Sequence, residues 1–582
     1  MSYIKELEIK VKEIIKKAGY ELEEFELCIS NRPDLGEFQI NDAMKLAKTY
    51  HKSPIQIAND IGNLLKEDKS FKDINIAGAG FINLSLSDDT LIEFIEDINE
   101  NIKKNIEKVN PRKIMIDYGG ANAAKMLHVG HLRSPNIGEA LKRLAKLLGC
   151  IVIADVHLGD SGAQSGMVVY EMMQRFPNLS CFQAGYSGEE FELPIVKEDL
   201  NIIYPEGAKK AKENEEIMEK CREITLQIQK GFIGYTKLWN KIVDLSSISI
   251  KEIYDKLNAE FDLWEGEQDS YKYINEFLEI VSKEGLSYLS EGATVIDVSE
   301  ENDEKEMPPV LLVKSDGAYL YATTDLATIL GRMKRFNPDE IWYFTDNRQE
   351  LHFEQVFRAA KKAKIVDDKT KLGFFGFGTM NGLDGKPFKT RSGGTMTLQE
   401  LIETIKIEIK KRLNTEIVEK EKIDETVEKL SIATLKYADL CPHRSTDYIF
   451  DIAKFSDFEG KTGPYILYST IRIKSLLSKA DNQDIKYNKM SKLQNNSDRE
   501  VIITLLNLPN VLQKSFEAKS LNEITEYLFK LTSIYNKFYN ENKILTNEDK
   551  DLKESWLVLS KTVYKTNLIL LDTLGIKCPE KM

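Results

Sequence analysis

From Ile114 the chain alternates short apolar runs with amphipathic stretches: IMIDY, a helical pattern through Leu148, then IVIADVH. Ile137, Ala140, Leu141, Leu144, Ala145 and Leu148 recur with a period of about 3.6 residues, and Gly149 follows where a helix C-terminal glycine belongs. Strand, helix and strand at this spacing predict a parallel βαβ unit. Residues 1–108 mix helical patterns with a few strands and close on the charged segment NENIKKNIEKVNPRK, which predicts an α+β domain and a boundary. Residues from about 168 to 310 are helical, charged and irregular, and read as insertions between two halves of one fold. Apolar runs return at VLLVKS, AYLYAT, EIWYFT and LGFFGFG, read as further strands. Beyond residue 400 only long helical patterns remain. Three domains are therefore expected: α+β over 1–108, α/β with a parallel sheet over 109–400, and an all-α bundle over 401–582.

Composition narrows the class. A chain of 582 residues, 42% hydrophobic and 30% charged, suits a multidomain globular protein. No run of about eighteen apolar residues is present, so no membrane span is expected. The N-terminus reads as a charged amphipathic helix, unlike a signal peptide. Six scattered cysteines without a C-x-x-C pair suit a reducing, cytoplasmic location and argue against disulfides or structural zinc. The net charge of −13 speaks against nucleic-acid binding by the chain as a whole. Local basic faces can still bind, as at Lys361, Lys362 and Lys364 or Arg472, Lys474 and Lys479, although each cluster also reads as a solvated helix face.

The chemistry concentrates in Asp117–Arg133, DYGGANAAKMLHVGHLR. A strand runs through a Gly/Ala-rich loop into His128-Val129-Gly130-His131 at a helix start. Such a helix N-terminus, with unpaired N–H groups and a favourable dipole, suits phosphate. Two imidazoles can donate to phosphate oxygens, and Gly130 leaves room for a flat purine. The domain thus reads as a Rossmann-type nucleotide-binding fold. HVGH alone could be half a metal site or a core histidine, but no neighbouring Cys or Glu-x-x-His completes a metal set. Downstream, Lys386-Pro387-Phe388-Lys389-Thr390-Arg391-Ser392-Gly393-Gly394 is a cationic, Gly-ended loop. It could neutralise a pyrophosphate leaving group or be a solvated turn. Gly159-Asp160-Ser161-Gly162 resembles a serine-protease GDSG, but no His–Asp partnership accompanies it.

HVGH followed by KPFKT resembles the HIGH and KMSKS motifs of class I aminoacyl-tRNA synthetases, the second in degenerate form. Further segments resemble arginyl-tRNA synthetases: Asn122 and Lys125 fall where that family has S-P-N-x-A-K, and Leu158–Gln164 matches L-G-D-x-G-x-Q. Tyr321–Ala327 matches Y-x-T-x-D-L-A, and DNRQELHF (346–353), KYADL, FEGKTGPYILY, the terminal LGIKCPEKM and PDLGEFQINDAMKLAK near the N-terminus are similar too. The resemblance covers nearly the whole chain outside the insertions. Pro135, Ser161 and Ala121 depart from the usual Thr, Trp and Pro.

A guanidinium substrate calls for carboxylates able to make forked hydrogen bonds. Asp117 and Asp325, near the ends of separate strands, are the candidates, with Tyr321, Gln349 and Asn122 as further arginine contacts. Taken singly, Asp117 reads as a strand-end cap and Tyr321 as a core aromatic; taken together they read as a site. The resemblance implies that His128, His131 and Gly130 bind ATP with His352 near the adenosine, and that Lys125, Lys386 and Lys389 hold the phosphates. It implies arginine–tRNA ligation: L-arginine and ATP·Mg²⁺ give arginyl-adenylate, which is passed to the terminal adenosine of tRNA(Arg). No resident metal is expected, and no editing domain either, since for the latter polar recognition discriminates by roughly 10⁴–10⁵. The helical domain would be anticodon-binding through Tyr465, Tyr468 and Arg472, each tyrosine reading equally as helix core. From the resemblance alone, Phe38, Gln39 and Asn41 would touch the tRNA elbow, adenylation would need bound tRNA, and the protein would be a monomer. Two rivals are a small-molecule nucleotidyltransferase of the H-x-G-H type, which would not need the helical domain or the arginine pocket, and a non-catalytic tRNA-binding paralogue, which would be expected to lose them.

Overall fold

The computed structural model describes residues 1–582 except Asn31, Pro33 and 389–395. The chain forms two compact units where the sequence predicts three domains. One comprises Met1–Val109, Arg412–Ala433 and Ser456–Met582; the other comprises Asn110–Lys411 and Thr434–Phe455.

In the first unit, α1 (Tyr3–Lys17), α2 (Ala43–Tyr50) and α3 (Pro54–Leu65) accompany a sheet of β1 (Cys28–Ile29), β2 (Phe38–Ile40), β3 (Phe71–Ala77) and β4 (Phe81–Leu86). The strand order is β1-β2-β4-β3, antiparallel throughout. Ser53 and Ser87 cap α3 and α4 (Asp88–Asn99) by accepting backbone N–H bonds. Phe38 is fully buried in this module, so its ring serves the core and offers no face to a nucleic acid. That corrects its reading as a tRNA contact. Gln39 donates to Asn83 at 2.8 Å, and Asn41 is exposed.

The second unit is built on four parallel strands in the order β11-β10-β5-β6: β5 (Lys113–Asp117), β6 (Ile151–Asp155), β10 (Glu340–Tyr343) and β11 (Lys371–Phe374). Between β5 and β6 runs α5 (Arg133–Leu147), with every position of the expected apolar stripe buried and Gly149 at φ +97° just beyond its end. Pro135 lies in its first turn, where a missing N–H removes no helical bond. The insertion after β6 carries α6 (Ala163–Arg175), α7 (Leu200–Glu213), α8 (Glu215–Gln229), α9 (Ile233–Lys256) and α10 (Tyr271–Lys283). It ends in an antiparallel sheet of β7 (Ser287–Ser290), β8 (Ala293–Ile296) and β9 (Val310–Val313).

Two expected strands change character here. VLLV is a strand, but in that antiparallel sheet. AYLYAT is not a strand: α11 (Tyr321–Phe336) begins inside it. Leu326, Ile329 and Leu330 supply the i, i+3, i+4 face that α11 buries, and this outweighs the β-like aromatics before it. α12 (Glu350–Lys362) links β10 to β11, and α13 (Leu398–Arg412) follows the cationic loop.

Within α14 (Ile423–Leu440), KYADL returns to the second unit through Asp439. This carboxylate accepts from Arg133 Nε at 2.9 Å, Asn136 at 3.1 Å and the Tyr448 hydroxyl at 2.9 Å, and is fully buried. The helices after residue 455 belong to the first unit: α15 (Gly463–Asn482), α16 (Asn496–Leu506), α17 (Leu508–Ala518), α18 (Asn522–Glu541) and α19 (Lys550–Thr573). There Arg499 binds Glu37, Asp88 and the Leu86 carbonyl, and Asn105 donates to the Leu505 carbonyl at 2.9 Å. The N-terminal module and the helices thus share one body. Tyr465 and Arg472 are both tied to Asn536, with the Arg472 guanidinium also against the Tyr539 ring, whereas Tyr468 stays 44% exposed.

Candidate active site

Beyond the carboxyl ends of β5 and β10, where parallel sheets collect ligands, opens a cavity of about 490 Å³. Asp117, Asn122, His128, Gly130, His131, Tyr321, Asp325 and Gln349 all line it, although they come from strand, loop and helix segments far apart in the sequence. The two motif loops are tied together as well. Val129 N–H donates to the Met396 carbonyl at 3.1 Å, and Leu398 N–H to that of Leu127 at 2.9 Å. Lys389 lies outside the described residues. Lys386 is exposed on the preceding turn and does not line the cavity.

At the HVGH end, His128 and His131 are neutral donors. Their Nδ1 atoms accept backbone N–H groups, from Gly130 and His128 respectively, each at 3.1 Å. That fixes the tautomer with hydrogen on Nε2. Burial lowers both groups, and for His131, with His128 beside it, the value falls to about 4. Gly130 is needed for the turn itself: a Cβ there would lie 2.8 Å from the His128 ring. Lys125 is directed elsewhere, its ammonium 4.6 Å from the Tyr204 ring centre, outside the cavity.

The other end is acidic. Asn122 packs where Gly159 comes close, and the Gly/Ala loop pairs with the LGDSG loop through Ala123 N–H to Gly159 O (3.0 Å) and Gly159 N–H to Ala121 O (2.9 Å). Ser161 of GDSG pairs with the Tyr271 hydroxyl at 2.6 Å, without a histidine partner. Asp325 sits near the start of α11, not at a strand end. Its Oδ2 lies 2.6 Å from His352 Nε2, and the His352 ring packs against Tyr321 at 4.7 Å. His352 thus stands behind two cavity-lining residues, Asp325 and Tyr321.

Asp117 is also engaged. Arg332, fully buried, donates from Nη2 to Asp117 and to Asp155, both at 2.6 Å. Asp117, Asp155 and His157 bring their ligand atoms within 4.8 Å, a metal-like grouping, but the cation against those carboxylates is the Arg332 guanidinium. Burial opposes charge on Asp155, yet His157 and Arg332 overcome it and bring it to about 2. Against the same penalty, Asp155 and Asp117 raise His157 to about 9.

The matches to known proteins follow this geometry. The pattern "tRNA synthetases class I (R), catalytic domain" fits residues 95–452, "Arginyl tRNA synthetase N terminal domain" fits 5–86, and "DALR anticodon binding domain" fits 466–582. The arginine–tRNA ligase of Alkaliphilus oremlandii is 43% identical, over 100% of this chain and 99% of its own. The chain belongs to the arginyl-tRNA synthetase family. The Agathobacter rectalis arginine–tRNA ligase is 41% identical over 97% of both chains. In fold, the chain is similar to arginyl-tRNA synthetase structures from Plasmodium falciparum (TM-score 0.81, 24% identity, 99% of both chains) and Thermus thermophilus (0.78, 18%, 100% of both).

Within this arginyl-tRNA synthetase fold, four cavity-related residues carry no motif of their own in the sequence. Arg332 lies on a helical stripe, and Glu267 lies deep in the insertion. His157 sits one residue before the matched Leu158–Gln164, and Arg348 lies within DNRQELHF beside Gln349, with nothing that singles it out. Conversely, a literal Lys489-Met490-Ser491-Lys492 occurs in the helical region. Met490 is buried, its N–H donates to Glu96 at 2.6 Å, and Lys492 pairs with Asp549 at 2.8 Å. Those contacts make the segment a strap of the first unit rather than a phosphate loop.

Proposed function

We propose that the protein ligates arginine to tRNA(Arg) in this cavity. The observation that carries the reading is one continuous cavity with an acidic end at Asp325 and a neutral, donor-bearing end at HVGH. Arginine lies with its guanidinium at the acidic end, against Asp325 and Tyr321, and Asn122 and Gln349 take its polar backbone groups. ATP·Mg²⁺ enters as substrate, with its phosphates at the His128 and His131 Nε2–H groups. The arginine carboxylate attacks the α-phosphorus, and pyrophosphate leaves from the HVGH end. A ribose hydroxyl of the terminal adenosine then attacks the activated carbonyl, and AMP departs. Catalysis is alignment and charge stabilisation, with no covalent enzyme intermediate. Tyr468 on α15, with Arg472 behind it, is the face offered to anticodon bases, and Asn41 and Gln39 are what remain of the N-terminal contact.

ATP–pyrophosphate exchange, run with each amino acid and with or without tRNA(Arg), tests this. Exchange that depends on arginine is expected. Absence of exchange in the presence of tRNA(Arg) contradicts the ligase reading, and exchange with a different amino acid contradicts the substrate.

A further inference from the structure

Asp117 and Asp155 are register partners at the carboxyl ends of β5 and β6. Two buried carboxylates on neighbouring strands repel each other, so the pair needs a cation between them. One side chain supplies it. Nη2 of Arg332 donates to Oδ2 of Asp117 and to Oδ2 of Asp155, both at 2.6 Å. Its Nη1 donates to the Tyr343 hydroxyl at 3.2 Å, and the guanidinium lies 5.5 Å from the Tyr343 ring centre. Arg332 is 1% exposed and does not line the cavity, whereas Asp117 and Tyr343 do. It also sits on α11 two helical turns beyond Asp325, on the same face, and Tyr321 opens that helix one turn before Asp325. A helix pinned at Arg332 to the ends of two strands cannot turn about its axis, so Asp325 and Tyr321 are fixed along with it.

We propose that Arg332 is the positioning residue of the arginine end: its guanidinium sets the direction of Asp117 and the rotation of α11, and through that helix the places of Asp325 and Tyr321. The inference rests on the reading of the cavity as an arginine site. The protein uses a guanidinium of its own to build the site for another. The fork matters, because one nitrogen serves two carboxylates while the second reaches Tyr343, a span that a single ammonium does not cover. The same contact favours the charged form of Asp117. Burial pushes Asp117 up, and Arg332 is the foremost group that opposes it. The other titratable groups around Asp117 are His157 and Asp155 at the end of β6, Tyr321 on α11 and Tyr343 on β10.

The test uses the full-length protein in tRNA(Arg)-supported ATP–pyrophosphate exchange. Arg332→Ala should raise the arginine KM by roughly 100-fold and leave the ATP KM within about twofold of wild type. That change leaves two buried acids unpaired and can unfold the unit. Arg332→Met combined with Asp155→Asn removes one charge of each sign, should fold, and should still raise the arginine KM by roughly 10- to 100-fold. Ethylguanidinium, the group that alanine lacks, should bring the arginine KM of Arg332→Ala back toward wild type, although in the wild type it only competes with arginine. The acid limb of kcat/KM for arginine should move to higher pH in Arg332→Ala, since the burial of Asp117 is then opposed by His157 alone. A wild-type arginine KM in the folded double variant, or arginine and ATP KM rising together, would overturn the proposal. Titration of L-arginine without ATP or tRNA reads the same difference apart from the reaction. A wild type that binds arginine roughly 10- to 100-fold more tightly than the double variant but shows no exchange would remove the ligase reading and leave the role of Arg332 standing.

Discussion

His352 shows how a side chain can match a motif and act through a neighbour. The ring touches Asp325 at 2.6 Å and packs at a tilt against Tyr321, so it sets the orientation of the acid proposed to address arginine. His352→Asn should therefore lower kcat/KM for arginine by roughly tenfold, about one charge-assisted hydrogen bond, and leave the ATP KM nearly unchanged, as initial rates at varied arginine and ATP will show. Residue chemistry near HVGH was legible in the sequence because strand, loop and helix start are contiguous there. The pairing of Asp117 with Arg332 was not, because the two lie far apart in sequence and meet only when β5 and α11 pack. Glu267 was hidden for the same reason, inside an insertion whose charged texture resembles a solvated face.

At the scale of elements, hydrophobic period located α5 and its flanking strands well, since one buried helix between two parallel strands leaves a strong apolar signature. It failed at AYLYAT, where aromatic and apolar residues in a short run fit either a strand or the entry to a helix. The segment Thr434–Phe455 could not be assigned to the catalytic unit from pattern either. Its place depends on the buried Asp439, which gathers Arg133, Asn136 and Tyr448 around one carboxylate. Arg133→Met should destabilise the second unit by about 3–5 kcal/mol, the cost of a buried charge without its partner. Pairing that change with Asp439→Leu should recover part of the loss, as denaturant unfolding of the three proteins will reveal. Equal losses in the single and double variants would mean that the ion pair is not what holds KYADL in place.

For the whole molecule, the sequence suggested three successive domains, whereas the N-terminal module and the helices share a body through contacts such as Arg499 with Glu37 and Asp88. Pairings across more than four hundred residues leave no local trace. The literal KMSK at Lys489–Lys492 carries the same lesson in reverse, since a phosphate-loop spelling sits where its residues serve packing and a surface ion pair. What defines the enzyme is the division of one cavity into an acidic end and an HVGH end. The direct test is Asp325→Ala, assayed for arginine and ATP KM in tRNA(Arg)-supported exchange. The expected result is an arginine KM raised by roughly a hundredfold or more with the ATP KM within about twofold of wild type. Equal loss of both would contradict it.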